Sequence, residues 1–422
     1  MAGYQGESLR VLWLCNAVLS SGDLKTTGTW LGALAQQLVA SGELTLGNIS
    51  TGKVTGLTRH DCGAIKQWIV PASVPSDRDG LPSHKVVADI LEVVDGFAPN
   101  LVHVWGTEAY WGLLTARGYI RTPALLEMQG LKGAIAKNYS GGLTWKEQLG
   151  CIGFKEIVKF RSIARDAHRF EKWSVFEREI IAVHRYIATQ TDWIRAHVQL
   201  VNPTSSIFHA DLVLRQPFYQ CASWQFSQKP ILFCSAAYSS PFKGLHVAIR
   251  AAGLLKKMFP RLQLLVAGAH QRHGIRKDGY ITWIESLTRQ LDLSQNVAWL
   301  GSLDASQMCK ELNSASAMIL PSFVENCSGF MQEAMMVGTP VVASYAGGLP
   351  SLACGEKSAL FFPPGDAAMC AWQIQRLLTD RDLANRLSRS ARAIALDRND
   401  RAKIVANQIR TYRQVIAESR KE

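Results

Sequence analysis

Residues 321–350 read PSFVENCSGFMQEAMMVGTPVVASYAGGLP. The four residues before them, AMIL at 317–320, are an apolar run of strand length that stops at Pro321. A proline has no N–H for a sheet ladder, so the strand ends there. Glu325 follows, then the small residues Asn326, Cys327, Ser328 and Gly329. A helical pattern runs over 329–337, Gly338-Thr339-Pro340 stops it, and VVAS starts a second strand. Strand, helix and strand in this order point to parallel strands of one sheet.

The same alternation runs through the chain. Apolar strand-length runs fall at 11–16, 44–49, 67–70, 101–105, 124–128 and 186–189, then at 231–235, 262–267, 297–300, 317–320, 341–343 and 360–362. Helical patterns lie between most of them, at 29–40, 84–94, 166–183, 244–258, 280–291, 306–314, 329–337 and 367–379. Strands apolar on both faces require helices on both sides, so each half predicts an α/β domain with a doubly wound parallel sheet. Two such domains in tandem face a central cleft, and ligands bind at the C-terminal ends of the strands.

The length of 422 residues suits two domains. The break is expected near 216–230, QPFYQCASWQFSQKP, which is polar, carries two prolines and lacks periodicity. This gives an N-terminal domain over 1–218, a C-terminal domain over 219–395, and an Arg-rich helical end over 396–422 expected to pack back on the first domain. A composition of 47% hydrophobic and 19% charged residues excludes a disordered or fibrous chain. Nine scattered cysteines without a C-x-x-C pair fit a reducing cytoplasm and no structural zinc. No leader pattern and no apolar run of about 18 residues is present, so the expected location is cytoplasmic or at the inner face of a membrane.

The formal charge of +12 accompanies no nucleic-acid-binding signature, so nucleic acid is not an expected partner. The basic stretch 145–172, WKEQLGCIGFKEIVKFRSIARDAHRFEK, has two readings: a solvated surface helix, or an interfacial helix drawn to anionic lipid.

The segment 321–350 also carries chemistry. A loop of small residues entering a helix N-terminus is an anion site, because free N–H groups and the positive dipole end face the ligand. Glu325 in the loop and Glu333 one turn into the helix can each accept two hydrogen bonds, which suits adjacent hydroxyls of a sugar or ribose. The ordered set Pro-Ser, Glu325, Glu333-Ala-Met, Gly338-Thr339-Pro340-Val-Val-Ala-Ser, Gly347-Gly348 resembles the signature of the family 4 glycosyltransferases, retaining enzymes of the GT-B fold. Phe242-Lys243-Gly244-Leu245 is similar to the family's Lys-Gly element, and Leu264–Gly268 and NVAWLG (296–301) to its following strands. HVWGTE (103–108), TDWIRAHV (191–198) and LRQPFY (214–219) resemble a bacterial subgroup that builds cell-surface polysaccharide.

The resemblance implies a nucleotide-sugar donor as co-substrate, a glycan or lipid-linked acceptor, and no metal or other cofactor. Lys243 would neutralise the donor diphosphate and Glu325 would contact the transferred sugar. Glu333 would hold the ribose, with backbone groups around Ser328, Gly329 and Phe330 on the phosphates and Gly301 and Ser302 bordering the base. Tyr238 stands where the family often has a second cation. On the acceptor side the resemblance points to the glycine loop with Thr27 and Gly28, and to Gln129, which stands where many relatives carry a histidine. Glu108, at another strand end, reads as a base or acceptor contact, or as a plain helix N-terminal charge. His103 reads as a buried strand residue. Other proteins on this fold, an epimerase, a hydrolase or a non-catalytic scaffold, remain alternatives; Lys243, Glu325 and Glu333 favour activity.

Overall fold

A computed structural model describes residues 9–20, 29–72, 75–76, 78–235, 240–268 and 278–421. The chain folds as two compact units, one of Met1–Lys132, Trp173–Val213 and Asn399–Glu422, the other of Gly133–Lys172 and Leu214–Arg398.

The first unit is built on strands β1 (Leu9–Cys15), β2 (Leu44–Gly52), β3 (Thr58–Arg59), β4 (Lys66–Pro71), β5 (Leu101–Trp105), β6 (Ala124–Glu127), β7 (Tyr186–Thr189) and β8 (Ser206–His209). They lie in the order β3-β4-β2-β1-β5-β6-β7-β8. Every pair is parallel except β3 with β4. β5 is buried throughout, and Trp13 of β1 is among the largest fully buried side chains. The helix Arg401–Ser419 contributes Tyr412 to this core. Trp13 Nε1 donates to the Tyr412 hydroxyl at 3.1 Å, and His103 Nδ1 lies 2.8 Å from the same oxygen. The other imidazole nitrogen of His103 faces Glu127 at 3.3 Å, and Gln190 donates to Glu127 at 3.0 Å. Burial holds the His103 pKa below its usual value against the pull of Glu127. His103 is therefore part of a buried polar cluster in the core, which fits its reading as structural.

The second unit holds β9 (Ile231–Ser235), β10 (Gln263–Ala267), β11 (Val297–Gly301), β12 (Ala317–Leu320), β13 (Val341–Ser344) and β14 (Leu360–Phe362). All pairs are parallel, in the order β11-β10-β9-β12-β13-β14. Sequence order reverses between β9 and β12, and in the first sheet between β1 and β5. At such a switch point the two loops leave toward opposite faces and open a crevice.

The chain passes from the first unit to the second at Val213 and Leu214, just before the expected break, and the stretch 216–230 lies wholly within the second unit. It begins with the helix Gln216–Gln220, and Phe218 and Trp224 are buried in the second unit. The Trp224 amide donates to Val337 O at 3.0 Å and its indole N–H to Ala315 O at 2.7 Å. Two aromatic residues among polar neighbours carry no period, so their burial was invisible in the pattern.

The segment 133–172, expected within the first domain, packs on the second unit. His246 is the anchor. Its Nε2 donates to Gly141 O at 2.9 Å, so Nδ1 accepts from the Tyr280 hydroxyl at 2.8 Å. Burial lowers the His246 pKa to about 4 and keeps the ring neutral for both bonds. Glu147 pairs with Arg250, and Lys155 with Asp278 at 3.1 Å. The basic stretch 145–172 is not one helix; it forms Trp145–Gly150, Phe154–Val158 and the start of Ile163–Val183. The strands β3 and β8 lacked a sequence signal of their own, β3 being two residues long and β8 carrying only two apolar residues, Ile207 and Phe208. Among the described residues no helix is long and apolar enough to cross a membrane.

Candidate active site

Lys243 ends the short 3-10 turn Pro241–Lys243 that follows β9, and Gly244 turns the chain into the helix Leu245–Leu255. Gly244 has φ 74°, and a Cβ there would lie 1.9 Å from the carbonyl oxygen of Pro321. Only glycine allows this approach, which presses the turn against the end of β12. The Phe323 amide donates to Phe242 O at 2.7 Å. The lysine is thereby fixed to the 321–328 loop, and its Nζ lies 2.7 Å from Glu325 Oε2. Glu325 is fixed from its other side. The Gly348 amide donates to Glu325 O at 2.9 Å, and a Cβ on Gly347 (φ 54°) would lie 2.0 Å from that oxygen. The glycine pair after β13 thus sets the position of Glu325.

Ser328 is the N-cap of the helix Gly329–Val337, its hydroxyl accepting from the Met331 amide at 3.3 Å. Gly329 and Phe330 occupy the first turn, whose N–H groups have no carbonyl partner within the helix. The Phe330 ring packs edge-on against Phe233 at 5.6 Å, which fixes the first turn of the helix to β9. Glu333 lies one turn further in and is buried. Its Oε1 accepts from Arg215 Nε at 3.1 Å and from Arg215 Nη2 at 2.8 Å. Arg215, just ahead of the helix Gln216–Gln220, was not singled out from sequence. Its partner is 118 residues away, a pairing that no local pattern carries.

Gly301 (φ 71°) and Ser302 close β11 at the edge of the same sheet, and Gly301 O accepts from the Gly268 amide at 2.8 Å. Lys243, Glu325, Glu333 and the helix N-terminus therefore gather at the β9/β12 switch point, with Gly301 and Ser302 two strands over. Each acid stands against a cation, Glu325 against Lys243 and Glu333 against Arg215. Tyr238 lies outside the described residues.

In the first unit, Glu108 and Gln129 come together at the ends of β5 and β6. Gly106 (φ 84°) lies between them: a Cβ there would be 1.9 Å from Glu108 Oε2 and 3.1 Å from Gln129 Cγ. Gly130 borders the other carboxylate oxygen, its would-be Cβ lying 3.1 Å from Glu108 Oε1. Burial in this cradle pushes the Glu108 carboxyl up to about 7, against the Glu108 and Thr107 amides and the charge of Lys132. Glu177, which accepts from Thr107 Oγ1 at 3.1 Å and from the Lys132 amide at 2.7 Å, adds to the rise. Thr27 and Gly28 lie outside the described residues.

Two doubly wound parallel sheets with a ligand crevice at each switch point are the fold of the GT-B glycosyltransferases. Sucrose-phosphate synthase from Thermosynechococcus elongatus matches with a TM-score of 0.73 at 17% identity, over 97% of this chain and 100% of its own. Anabaena Alr3699/HepE, solved in complex with UDP-glucose, matches with a TM-score of 0.64 at 15% identity, over 98% of this chain and 99% of its own. Residues 221–394, which include Lys243, Glu325 and Glu333, match the family described as glycosyl transferases group 1. The chain is 25% identical over 240 residues to the glycogen synthase of Mycobacterium tuberculosis, covering 54% of this chain and 56% of that protein. The chain thus spans about half the length of the curated relatives it matches.

Proposed function

We propose that this protein is a retaining, metal-independent glycosyltransferase that moves a sugar from a nucleoside-diphosphate sugar to a hydroxyl of a glycan or lipid-linked acceptor in cell-surface polysaccharide synthesis. One observation carries the reading: a lysine, two carboxylates and a helix N-terminus converge at the β9/β12 switch point. Transfer breaks the bond between the anomeric carbon and the diphosphate oxygen and forms a bond from that carbon to the acceptor oxygen. The hydroxyl proton leaves, and the nucleoside diphosphate carries the electron pair away. Stabilising that leaving anion is the main electrostatic task. Lys243 and the N–H groups of Gly329 and Phe330 are the donors suited to it, Glu325 to the sugar hydroxyls and Glu333 to the ribose.

Calorimetry without added metal, against the diphosphates of uridine, guanosine, adenosine and cytidine and their sugar conjugates, tests the donor site. One nucleotide class binds wild type; a well-folded protein that binds none of them sinks the reading in favour of a scaffold.

Glu108 adds an expectation about pH. A carboxyl with a pKa of about 7 is half ionised near neutrality and can accept the acceptor's proton. The carboxylate fraction grows with pH, so turnover rises through about pH 7 and then levels. Glu108→Gln removes the rising limb and lowers turnover about 10²-fold, the usual scale for a lost base. Stability moves the other way. A raised carboxyl pKa contributes stability below its unfolded value, and that stability is lost as pH rises through about 7. Melting curves of Glu108→Gln should therefore gain on wild type across that range. A pH–rate profile of the variant that keeps the wild-type limb would remove Glu108 from the proton path.

A further inference from the structure

The sequence between Thr144 and Phe160 contains one five-residue pattern twice: Trp145-Lys146-Glu147-Gln148-Leu149 and Phe154-Lys155-Glu156-Ile157-Val158. Each copy folds as one short helix, Trp145–Gly150 and Phe154–Val158. In each, the glutamate is the third helical residue and turns back to the residue before the helix. Glu147 Oε2 accepts from the Thr144 amide at 2.8 Å, and Glu156 Oε2 from the Gly153 amide at 3.1 Å. The same two acids also face the second unit, Glu147 on Arg250 and Glu156 on the Gly279 amide at 3.0 Å.

At about 100° per residue, the first and fifth positions of such a helix share a face and the third lies opposite. Fixing the acid inward therefore turns the apolar positions outward. Trp145 is 67% exposed, Phe154 61% and Ile157 63%, and Leu149 and Val158 are exposed beside them. Phe160, 76% exposed at the end of the second copy, extends the patch. A hydrophobic surface collected in 16 residues is unlike the scattered apolar exposure of an ordinary surface.

Charge selects its occupant. The only acids from 139 to 165 are Glu147 and Glu156, and both point inward. Lys146, Lys159 and Arg165 are exposed among or beside the apolar side chains. An aromatic and aliphatic patch with exposed cations among its side chains fits the boundary between headgroups and acyl chains of an anionic bilayer. We propose that residues 145–160 are a lipid-docking surface, with the doubled pattern as its device: two capping acids hold the helices to the protein so that their opposite faces enter the membrane.

The surface is also joined to the donor loop. Gly141, four residues before it, lies with its would-be Cβ 2.3 Å from the carbonyl oxygen of Pro241, in the turn that carries Lys243. The Tyr139 ring packs on Phe242 at 5.6 Å.

The test is co-sedimentation of the full chain with phosphatidylcholine vesicles carrying about one third phosphatidylglycerol, against pure phosphatidylcholine. Wild type should pellet with the anionic vesicles and be released by salt. A variant combining Trp145→Ser, Phe154→Ser and Phe160→Ser should lose at least about ten-fold in partitioning, with its melting temperature and nucleotide binding unchanged. Lys146→Gln with Lys159→Gln should weaken binding to anionic vesicles only. Wild type that stays in solution, or a triple variant that pellets as wild type does, overturns the proposal. So does a wild-type dimer in sedimentation velocity that the triple variant lacks, because it would assign the patch to a second copy of the chain. Nucleotide binding reports the transferase reading separately, so failure of one leaves the other legible.

Discussion

Lys243→Ala lowers turnover by about 10²–10³-fold, the scale found when one preorganised donor to a developing oxyanion is removed. It also weakens nucleotide-sugar binding by about 1–3 kcal/mol, the worth of a charge-assisted contact. The argument rests on how rigidly the lysine is held. Its turn is pinned by Gly244 against Pro321 O and by the Phe323 amide on Phe242 O, so the ammonium needs little reorganisation to meet a leaving diphosphate. Glu325, at 2.7 Å, holds it in the site. Lys243→Arg keeps the charge but places a wider, planar group where the turn fits an ammonium, so it should restore binding more fully than turnover. Initial rates and calorimetry on both variants check this. An alanine variant with wild-type turnover would move the leaving-group role elsewhere.

The carboxylates were legible because they belong to a short pattern, a strand, a stop, small residues and a helix around Glu325 and Glu333, whereas Lys243 was marked by its resemblance to the family's Lys-Gly element. Local order alone brings these elements to strand ends, and a parallel sheet brings strand ends together. Glu108 was legible in the same way, as a polar residue just past an apolar strand, although the cradle of Gly106 and Gly130 that raises its pKa was not. What stayed hidden is non-local. The attachment of 133–172 depends on His246 meeting Gly141 across 105 residues. The burial of Trp224 depends on carbonyls from two other elements. The 145–172 stretch read as one surface or interfacial helix from its basic composition; the two glycines at 150 and 153 break it into separate turns.

Arg215 is the residue that pattern reading omitted, and its removal should be the most costly change in the site. Its guanidinium donates twice to one oxygen of Glu333, and the two side chains are 15% and 12% exposed. Taking one partner from a buried pair costs about 3–5 kcal/mol, because the remaining charge is left in a poorly solvating place. Arg215→Met should therefore lower stability on that scale, seen as a fall in the chemical-denaturation midpoint with unchanged slope. The functional effect separates a structural pair from a positioning one. If Arg215 aims the Glu333 carboxylate at the ribose, Arg215→Lys, which keeps the charge but cannot form two donors in one plane, folds well and still loses nucleotide affinity. Glu333→Gln should lose affinity to a similar degree, and joining it to Arg215→Lys should add little, since both changes disable one group. Full additivity in that double-mutant cycle would mean that the two residues act apart. In that case Arg215 would serve only to seat the chain ahead of the helix Gln216–Gln220, where its guanidinium already lies over the Phe218 ring at 5.1 Å.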